Sequence, residues 1–358
     1  MTGHTPSETA PPADWPLREA SQFVLTERWR WHVQRLGADP DRAPWLLLLH
    51  GTGGSTHEWA DVARALAPQA HVLLCDLPGH GFTTPRHSDE AMAAQGSPYS
   101  LVGMTDALCE LLGQLTRGAE ASVPPHAPPM LHVAGHSAGA AVALQLALQM
   151  PLPMPTASTT PAAALGEAAA FDQDAPTPSC HIASVLGVNP ALVPPPAAKV
   201  HGILPWLAPL MSSPVTRDIL QVAQRGLSGV PGLGGMQEAL GQLALHAILE
   251  STGSPLAEIS HRSYRQLFAE PRHVWSAMQM MAHWGLPALM PRLADLRCPV
   301  TLLVARDDPW IPVRALEALH RQHPAWTFRE TTGGHLLPET SAELVARVIA
   351  EQCFRANR

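Results

Sequence analysis

Residues 130–139 read Met-Leu-His-Val-Ala-Gly-His-Ser-Ala-Gly, a short apolar run followed at once by the pattern Gly-x-Ser-x-Gly. A strand that turns sharply into a helix at this pattern holds its central serine in a strained conformation, with the hydroxyl projecting from the edge of the sheet. The two glycines relieve crowding where the helix packs close to the strand. We therefore predict a nucleophile at Ser137, and we expect larger residues at Gly135 or Gly139 to do more harm than their size suggests.

A second glycine-rich turn precedes this one in the chain. Residues 45–50, Trp-Leu-Leu-Leu-Leu-His, are typical of a buried strand, and Gly-Thr-Gly-Gly-Ser follows directly at 51–55. Backbone N–H groups of such a turn can face an oxyanion, and we predict the N–H groups of Thr52 and Ala138 as its donors. The alternative is a plain strand-to-helix turn, which the order of the two turns along the chain disfavours.

The other two members of a serine-based site are expected further along the chain, the acid first and the histidine second. The buried-type strand at 299–305 ends at Arg-Asp-Asp-Pro, and Asp308 is the predicted acid, with Asp307 as the alternative. Both could instead be ordinary turn carboxylates, since aspartate is favoured in turns. The strand at 327–331 leads to Gly-Gly-His, which makes His335 the predicted general base. The imidazole would take the proton of the serine hydroxyl, and the carboxylate would fix its tautomer.

Composition limits the class of protein. The 358 residues are 46% apolar and 15% charged, which indicates a globular protein with a large core. The formal charge of −7 and the absence of lysine and arginine clusters argue against nucleic acid as a partner. The five cysteines are scattered and the first residues do not resemble a signal peptide, so a reduced, cytoplasmic protein is predicted. We see no side chains with the spacing of a metal site, and we predict no cofactor.

The chain alternates strand-like and helix-like segments, which predicts the α/β class with a doubly wound, mostly parallel sheet. Residues 23–33 alternate in the manner of an antiparallel hairpin at the edge of that sheet. Residues 138–150 are strongly apolar, but the segment is short and follows the reactive serine, so we predict a buried helix and no transmembrane segment.

Composition also divides the chain into units. Proline, alanine, threonine and serine dominate residues 151–179, which is typical of a poorly ordered surface insertion. After the strand at 181–188, the sixth in predicted order, the strand pattern lapses and apolar helical segments replace it. The predicted units are a disordered N-terminus (1–13), the first part of the core (14–190), a helical cap (191–297) and the second part of the core (298–358).

The predicted cap is rich in methionine and tryptophan. Methionine adapts to irregular apolar shapes, and tryptophan offers a broad face to a planar ligand. Any one of these side chains could be plain cap core, but as a group they favour a bulky apolar ligand. His50 and His136 flank the two turns and are predicted to be local hydrogen-bond partners rather than bases. The predicted substrate pocket joins residues of the turns and of the cap: His50, Gly51, Gly53, His136, Trp206, Trp275, Met281 and Trp284.

Six stretches together carry a resemblance to a known family. They are Asp-Trp-Pro-Leu-Arg-Glu-Ala-Ser at 14–21, Trp-His-Val-Gln at 31–34, His-Gly-Thr-Gly-Gly-Ser-Thr-His at 50–57, Asp-Leu-Pro-Gly-His-Gly-Phe-Thr at 76–83, Gly-His-Ser-Ala-Gly-Ala at 135–140 and Met-Met-Ala-His-Trp at 280–284. With them the chain resembles the α/β-hydrolase superfamily and, within it, the magnesium-chelatase accessory proteins of bacteriochlorophyll synthesis, the BchO family. The serine, aspartate and histidine alone would identify only the superfamily; the N-terminal and Met-Met stretches narrow the likeness.

The resemblance implies an α/β-hydrolase fold with a helical cap inserted after strand 6. It implies a role near magnesium insertion into protoporphyrin IX in a photosynthetic bacterium. The implied partners are magnesium chelatase subunits and a bulky apolar small molecule such as a porphyrin, and the implied place is the cytoplasm, peripheral to the photosynthetic membrane.

Three functions follow from these patterns. The first is a hydrolase that uses a serine nucleophile on an ester or related acyl bond of a bulky apolar substrate. The second is a non-catalytic accessory protein that binds a porphyrin or the chelatase. The third is a general carboxylesterase or a haloperoxidase-like enzyme unrelated to pigment synthesis, or carbon–carbon bond chemistry on the same residues, because fold does not fix the reaction.

Overall fold

A nine-stranded sheet runs through the part of the chain that the structure describes. The computed structural model describes residues 10–88, 92, 96–117, 130–151, 180–193 and 233–354, and only the backbone of 117 and 233–240. The strands are β1 (Ser21–Leu25), β2 (Trp29–Gly37), β3 (Trp45–Leu49), β4 (His71–Cys75), β5 (Thr84–Pro85), β6 (Met130–His136), β7 (His181–Val188), β8 (Val300–Ala305) and β9 (Thr327–Thr331).

Helices connect most of these strands. They are α1 (Ala60–Leu66), α2 (Leu101–Arg117), α3 (Ala138–Gln149), α4 (Leu233–Ser251), α5 (Glu258–Phe268), α6 (Pro271–Ala282), α7 (Leu286–Leu289), α8 (Val313–Gln322), α9 (Leu337–Thr340) and α10 (Ala342–Cys353). Three 3-10 helices lie at Arg18–Ala20, Thr56–Trp59 and Met290–Asp295. Within the described ranges, no helix combines the length and the apolar character needed to span a bilayer.

The strand order confirms the predicted α/β class. The order is β1-β2-β4-β3-β6-β7-β8-β9, and the two-residue strand β5 pairs with β2. Strand β3 pairs in parallel with both β4 and β6, and the parallel pairing continues through β7 and β8 to β9. The predicted hairpin is the antiparallel pair β1–β2 at one edge. Because β5 was not predicted, the strand predicted as the sixth is β7 in the structure.

Helices cover both faces of the sheet. All five side chains of β3 are buried, and alternate side chains of a strand point to opposite faces. Leu47 and Leu49 join a core with α2, α3 and α8, whereas Leu46 and Leu48 join a core with α1 and α10. Coverage on both faces explains why the strand is continuously apolar rather than alternating.

The parallel strands place the predicted site at one edge. Carboxyl ends of parallel strands meet on the same side of a sheet, where open α/β sheets bind their ligands. Strand β3 ends at the turn that begins with His50, β6 ends before Ser137, and β7 ends before Asn189. Asp308 follows β8, and His335 follows β9. The topology therefore brings residues that are far apart in sequence to one place.

The predicted division into units stays a prediction. Residues 1–9 and 152–179, which make up most of the predicted N-terminus and insertion, lie outside the described residues, as do 194–232 of the predicted cap. The described part of that cap consists of α4 to α7 and the 3-10 helix at Met290–Asp295. Helix α6 reaches the core directly, since the Arg272 guanidinium donates to the carbonyl oxygens of Gly79 and Thr83 at 3.1 and 2.6 Å.

Candidate active site

Ser137 occupies a sharp turn between β6 and α3. Its φ of 51° and ψ of −117° lie in the left-handed half of backbone space, which serine rarely adopts. A Cβ atom added to Gly139 would lie 2.4 Å from the carbonyl oxygen of Leu49, and one added to Gly135 would lie 2.2 Å from that of Gly139. Both positions therefore require glycine, because the first turn of α3 packs directly on the strands.

His335 bridges Ser137 and Asp308. Its Nε2 lies 3.0 Å from the Ser137 hydroxyl oxygen, and its Nδ1 lies 2.7 Å from Oδ2 of Asp308. All three residues are buried, and the ring of Trp310 stacks on the imidazole with the centroids 5.3 Å apart. The three side chains thus form one hydrogen-bonded series from hydroxyl to imidazole to carboxylate.

The aspartate of this series is Asp308 rather than its neighbour. Oδ1 of Asp308 accepts the N–H groups of Trp310 and Ile311 at 2.7 and 3.1 Å, which orients the other carboxylate oxygen toward His335. Asp307 is exposed, and its carboxylate accepts the N–H of Gly333 at 3.5 Å. Of the two carboxylates that the sequence left open, the structure joins Asp308 to the imidazole.

Burial sets the protonation of His335. Burial penalises the charged imidazolium and lowers the pKa of His335, although the hydrogen bond and charge of Asp308 oppose the shift. The imidazole is therefore neutral at neutral pH. A neutral ring whose Nδ1–H donates to a carboxylate has Nε2 free to accept a proton from the serine hydroxyl.

The glycine-rich turn lies against the serine. A Cβ atom added to Gly51 would lie 3.1 Å from the Cβ of Ser137. The N–H of Ser137 itself is bonded to the Val188 carbonyl oxygen at 2.9 Å. Among the described residues, neither the N–H of Thr52 nor that of Ala138 has a hydrogen-bond acceptor. These two groups are the ones that the sequence predicted as oxyanion donors.

Both flanking histidines have protein partners on both ring nitrogens. His50 contacts the Gly51 carbonyl oxygen through Nδ1 at 2.7 Å and accepts the N–H of Leu77 on Nε2 at 2.9 Å. His136 contacts Glu58 through Nδ1 at 2.8 Å and donates from Nε2 to the carbonyl oxygen of His335 at 3.0 Å. Their geometry is that of local hydrogen-bond partners, and their part in a substrate pocket stays a prediction.

Two residues of the site were missed in the sequence. The Glu58 carboxylate also accepts the N–H of Gly51 at 3.2 Å, although its position in the chain looked like an ordinary helix start. The Asn189 side chain donates to the carbonyl oxygens of Gly334 and His335 at 3.1 and 2.8 Å. The placement of Asn189 directly after a buried strand was an available signal for it, whereas Glu58 gave none.

The residues that the cap was predicted to contribute to the pocket differ in their exposure and contacts. Helix α6 contacts the glycine-rich turn through Met280, whose sulfur accepts the Thr52 hydroxyl at 3.4 Å, whereas Met281 is 44% exposed. Consecutive helical residues point about 100° apart, so Met280 contacts this turn while Met281 points elsewhere. The place of Met281 in a substrate pocket stays a prediction. Trp275 and Trp284 are half-buried, and Trp206 lies outside the described residues.

Gly53 lies where the glycine-rich turn contacts helix α6. Its φ of 75° is a left-handed conformation that suits glycine. Its carbonyl oxygen accepts a hydrogen bond from Nε2 of His273 at 3.0 Å, and the Nδ1 of the same ring accepts the N–H of Gly81 at 2.9 Å.

Across the described ranges, no group of three or more histidine, cysteine, aspartate or glutamate side chains is placed to hold a metal ion.

Comparison with known proteins identifies the family of the chain. The model of the alpha/beta hydrolase family matches residues 46–348. A relative from Rhodobacter capsulatus, the magnesium-chelatase 30 kDa subunit, is 31% identical over 355 residues, which are 95% of this chain and 96% of that protein. A synthase of Escherichia coli, 2-succinyl-6-hydroxy-2,4-cyclohexadiene-1-carboxylate synthase, is 53% identical over 50 residues, 14% of this chain and 19% of its own.

Solved structures give the same fold. The enol-lactonase from Burkholderia xenovorans superposes with a TM-score of 0.60 at 14% identity, covering 92% of this chain and 98% of its own. The extent of the family match and of the likeness to the chelatase subunit leaves no ambiguity at the family level. The chain belongs to the α/β-hydrolase family, and it is similar along 95% of its length to the magnesium-chelatase 30 kDa subunit.

Proposed function

We propose that the protein is a hydrolase that uses Ser137 as a nucleophile on an ester or related acyl bond. The observation that carries the proposal is the hydrogen-bonded series from Ser137 through His335 to Asp308, with the serine held at a φ of 51°. A strained serine beside a neutral, buried imidazole is arranged for activation of its hydroxyl group.

The chemistry would run in two stages. As Oγ of Ser137 attacks the acyl carbon, its proton passes to Nε2 of His335, and the carbonyl electron pair moves onto oxygen. The N–H groups of Thr52 and Ala138 stabilise this oxyanion, and Asp308 stabilises the imidazolium. The tetrahedral intermediate collapses, the alcohol leaves with the proton of His335, and water cleaves the acyl-enzyme by the same route.

The proposed substrate is bulky and apolar. Met280 lies against the Thr52 hydroxyl, so the cap presents a flexible apolar side chain beside the oxyanion turn. Trp284, four residues further along the cap, is half-buried and packs against the same hydrophobic core as Met280. These contacts suit a large flat molecule, and a porphyrin is the ligand that we propose.

We place this activity in bacteriochlorophyll synthesis, as an accessory to magnesium chelatase. The support is the 31% identity to the magnesium-chelatase 30 kDa subunit along nearly the whole chain. In this role the protein works with chelatase subunits in the cytoplasm, at the surface of the photosynthetic membrane, while magnesium is inserted into protoporphyrin IX.

A second candidate is a non-hydrolytic reaction on the same three residues, which the 53% identical stretch shared with a synthase favours.

Two measurements test the proposal. The first is hydrolysis of p-nitrophenyl butyrate and p-nitrophenyl laurate by the wild type and by Ser137→Ala. We expect a higher kcat/KM for laurate, and a loss of at least about 10⁴-fold in kcat for the variant. Equal turnover by the variant would refute the serine mechanism.

The second measurement separates catalysis from accessory binding. Bacteriochlorophyll and its magnesium-free precursors are quantified in a strain that lacks the protein, complemented with wild type or Ser137→Ala at matched expression. Pigment restored by wild type alone would assign Ser137 chemistry to the pathway. Equal restoration by both would make the role one of binding or assembly.

A further inference from the structure

Glu58 is a buried carboxylate that the proposed reaction does not use. Its side chain is 2% exposed, and Oε2 accepts both the N–H of Gly51 at 3.2 Å and Nδ1 of His136 at 2.8 Å. His136 then donates from Nε2 to the carbonyl oxygen of His335 at 3.0 Å. One carboxylate is therefore joined to the oxyanion turn, to the residue before the nucleophile and, through one imidazole, to the loop of the base.

Geometry and electrostatics together favour a charged pair. The Nε2 of His136 donates to a carbonyl oxygen, and with Glu58 ionised its Nδ1 donates to the carboxylate, so that both ring nitrogens carry protons. Burial opposes both charges, but the charge and hydrogen bond of the partner outweigh it: the pKa of Glu58 falls to about 2, and the pKa of His136 is raised. The pair is an imidazolium and a carboxylate at neutral pH.

The surroundings are shaped to admit this carboxylate. A Cβ atom added to Gly54 would lie 1.6 Å from Oε1 of Glu58, so the turn approaches the carboxylate as closely as a glycine permits. On the far side, the Tyr264 hydroxyl lies 3.5 Å from Oε1 of Glu58 and 2.9 Å from Oε1 of Glu339. The buried carboxylate thus has hydrogen-bonding partners from the glycine-rich turn, from His136 and from α5.

We propose that Glu58 and His136 are positioning residues. Their ion pair holds the glycine-rich turn and the backbone carbonyl of His335 at fixed positions relative to Ser137. The inference rests on the proposed serine hydrolase. Two charges are costly to bury, and an apolar pair of similar volume could fill the same space at no loss of stability. An apolar pair could not form hydrogen bonds with the Gly51 N–H and the His335 carbonyl oxygen, whereas Glu58 and His136 form both.

The expected effect follows from the tolerance of catalysis to misplacement. A displacement of about 1 Å in a reacting group can cost about a hundredfold in rate. Glu58→Gln keeps the shape of the side chain but removes its charge. We expect the first-order rate constant of Ser137 modification by a fluorophosphonate to fall between about tenfold and a hundredfold. The half-saturating probe concentration should stay within about twofold, because no probe contact is lost.

A matched control lies three residues away. Asp61→Asn removes a carboxylate that is paired with Arg64 at the surface, and it should leave the modification rate unchanged. Amide hydrogen exchange gives a readout that does not depend on reactivity. In Glu58→Gln, exchange should quicken in peptides 50–54 and 332–337 and stay unchanged in β7, whereas Asp61→Asn should alter none of them.

A double variant tests whether the two residues act together. His136→Asn leaves the Glu58 carboxylate buried without its partner and should destabilise the protein. The double variant Glu58→Gln/His136→Asn should recover part of that stability, and its modification rate should fall no further than that of the slower single variant. Effects that simply multiply would overturn the proposal, and so would an unchanged rate or unchanged exchange in Glu58→Gln.

Failure of the proposed function would look different. Wild-type protein that takes up no fluorophosphonate at Ser137 would refute the serine hydrolase itself. The exchange measurements would then decide alone. Exchange in peptides 50–54 and 332–337 that is as slow in Glu58→Gln as in wild type would refute the positioning role, and faster exchange in both peptides would support it.

Discussion

Two hydrogen-bonded series of serine, histidine and aspartate occur among the residues that the structure describes, and their distances are the same. In one, Nε2 of His335 lies 3.0 Å from the Ser137 hydroxyl, and Nδ1 lies 2.7 Å from Asp308. In the other, at the edge of the sheet, Nε2 of His32 lies 3.0 Å from the Ser21 hydroxyl, and Nδ1 lies 2.7 Å from Asp76. Side-chain distances alone therefore cannot tell which serine is the nucleophile.

The backbone separates the two series. Ser137 has a φ of 51°, whereas Ser21 is extended, with a φ of −72° and a ψ of 133°. The Ser21 hydroxyl also accepts the side-chain amide of Gln34 at 3.2 Å. The turn at Ser137 instead lies beside Gly51, and the N–H groups of Thr52 and Ala138 have no acceptor among the described residues. The strained turn and its amides, rather than the arrangement of side chains that the two series share, therefore support Ser137 as the proposed nucleophile.

The edge series has a structural task. The Gln34 amide also donates to the carbonyl oxygens of Pro16 and Leu17 at 2.8 and 3.1 Å, which fastens the N-terminal stretch to β2. Asp76 accepts the N–H groups of Thr56 and Phe82, both at 2.8 Å, in addition to His32. The residues that gave the sequence its specific family resemblance at the N-terminus thus build the edge of the sheet.

The largest difference is expected from the two aspartates as acids. Asp308→Asn should reduce the rate of fluorophosphonate modification by about 10⁴-fold, because the amide favours the wrong tautomer of His335. Asp307→Asn, its exposed neighbour, should leave the rate within about twofold. Modification kinetics measured on folded protein decide the matter, and equal effects of the two variants would contradict the assignment of Asp308.

The edge aspartate should instead govern stability. Burial opposes the Asp76 charge, but the charge and hydrogen bond of His32 outweigh it, so the pKa of Asp76 is lowered on folding. A lowered pKa stabilises the folded state above the unfolded value of about 3.9, and this contribution is lost as pH falls through the folded value. Asp76→Asn should lower the free energy of unfolding by about 3 kcal/mol at pH 7.

Urea unfolding of wild type and Asp76→Asn at pH 7 and at pH 3 checks this expectation. The gap between the two proteins should narrow at the lower pH, and the modification rate of the folded variant should stay within about threefold of wild type. A gap that widens in acid would contradict the role given to this carboxylate.

A smaller effect on stability is expected from Gly139, because the turn at Ser137 requires glycine there whereas helix α4 does not require it at Gly241. Gly139→Ala should cost about 2 kcal/mol of stability, because its methyl group would overlap the Leu49 carbonyl oxygen. Gly241→Ala, in α4, meets nothing within 4 Å and should stabilise the protein by about 0.5 kcal/mol. Thermal unfolding of both variants measures the contrast, which would vanish if the helix could shift away from the strand.

The smallest effect is a shift in pH dependence. Because burial lowers the pKa of His335, the modification rate should rise with pH and level off below the ordinary histidine value of about 6.5. Below that midpoint the rate should fall about tenfold per pH unit as the imidazole takes up a proton. A midpoint above pH 7, measured between pH 4 and pH 8, would show that the folded protein stabilises the imidazolium instead.

Local patterns made most of the fold and the core of the site predictable. Consecutive residues identify the turn at Ser137, the turn at 51–55 and the buried strands, because backbone geometry restricts which residue types fit there. His335 followed from a short loop after a predicted strand. These features depend on neighbours in sequence, which a single chain displays.

Other features depend on contacts between distant segments. Asp308 was the predicted acid, but Asp307 stayed open because the path of the loop decides which carboxylate meets His335. The contact of Met280 with Thr52 depends in the same way on the rotation of α6. Glu58 contacts Gly51 and His136 across the fold, and its own neighbours in the chain give no sign of this. Tertiary packing decides such contacts, so spacing along the chain could not.

The most direct test of the comparison is the site of covalent modification. Wild type, Ser137→Ala and Ser21→Ala are incubated with a fluorophosphonate, and the adduct is located by peptide mass spectrometry. We expect one adduct, on Ser137, in wild type and in Ser21→Ala, and none in Ser137→Ala. An adduct on Ser21, or a folded wild type without any adduct, would contradict the conclusion that the strained turn creates the nucleophile.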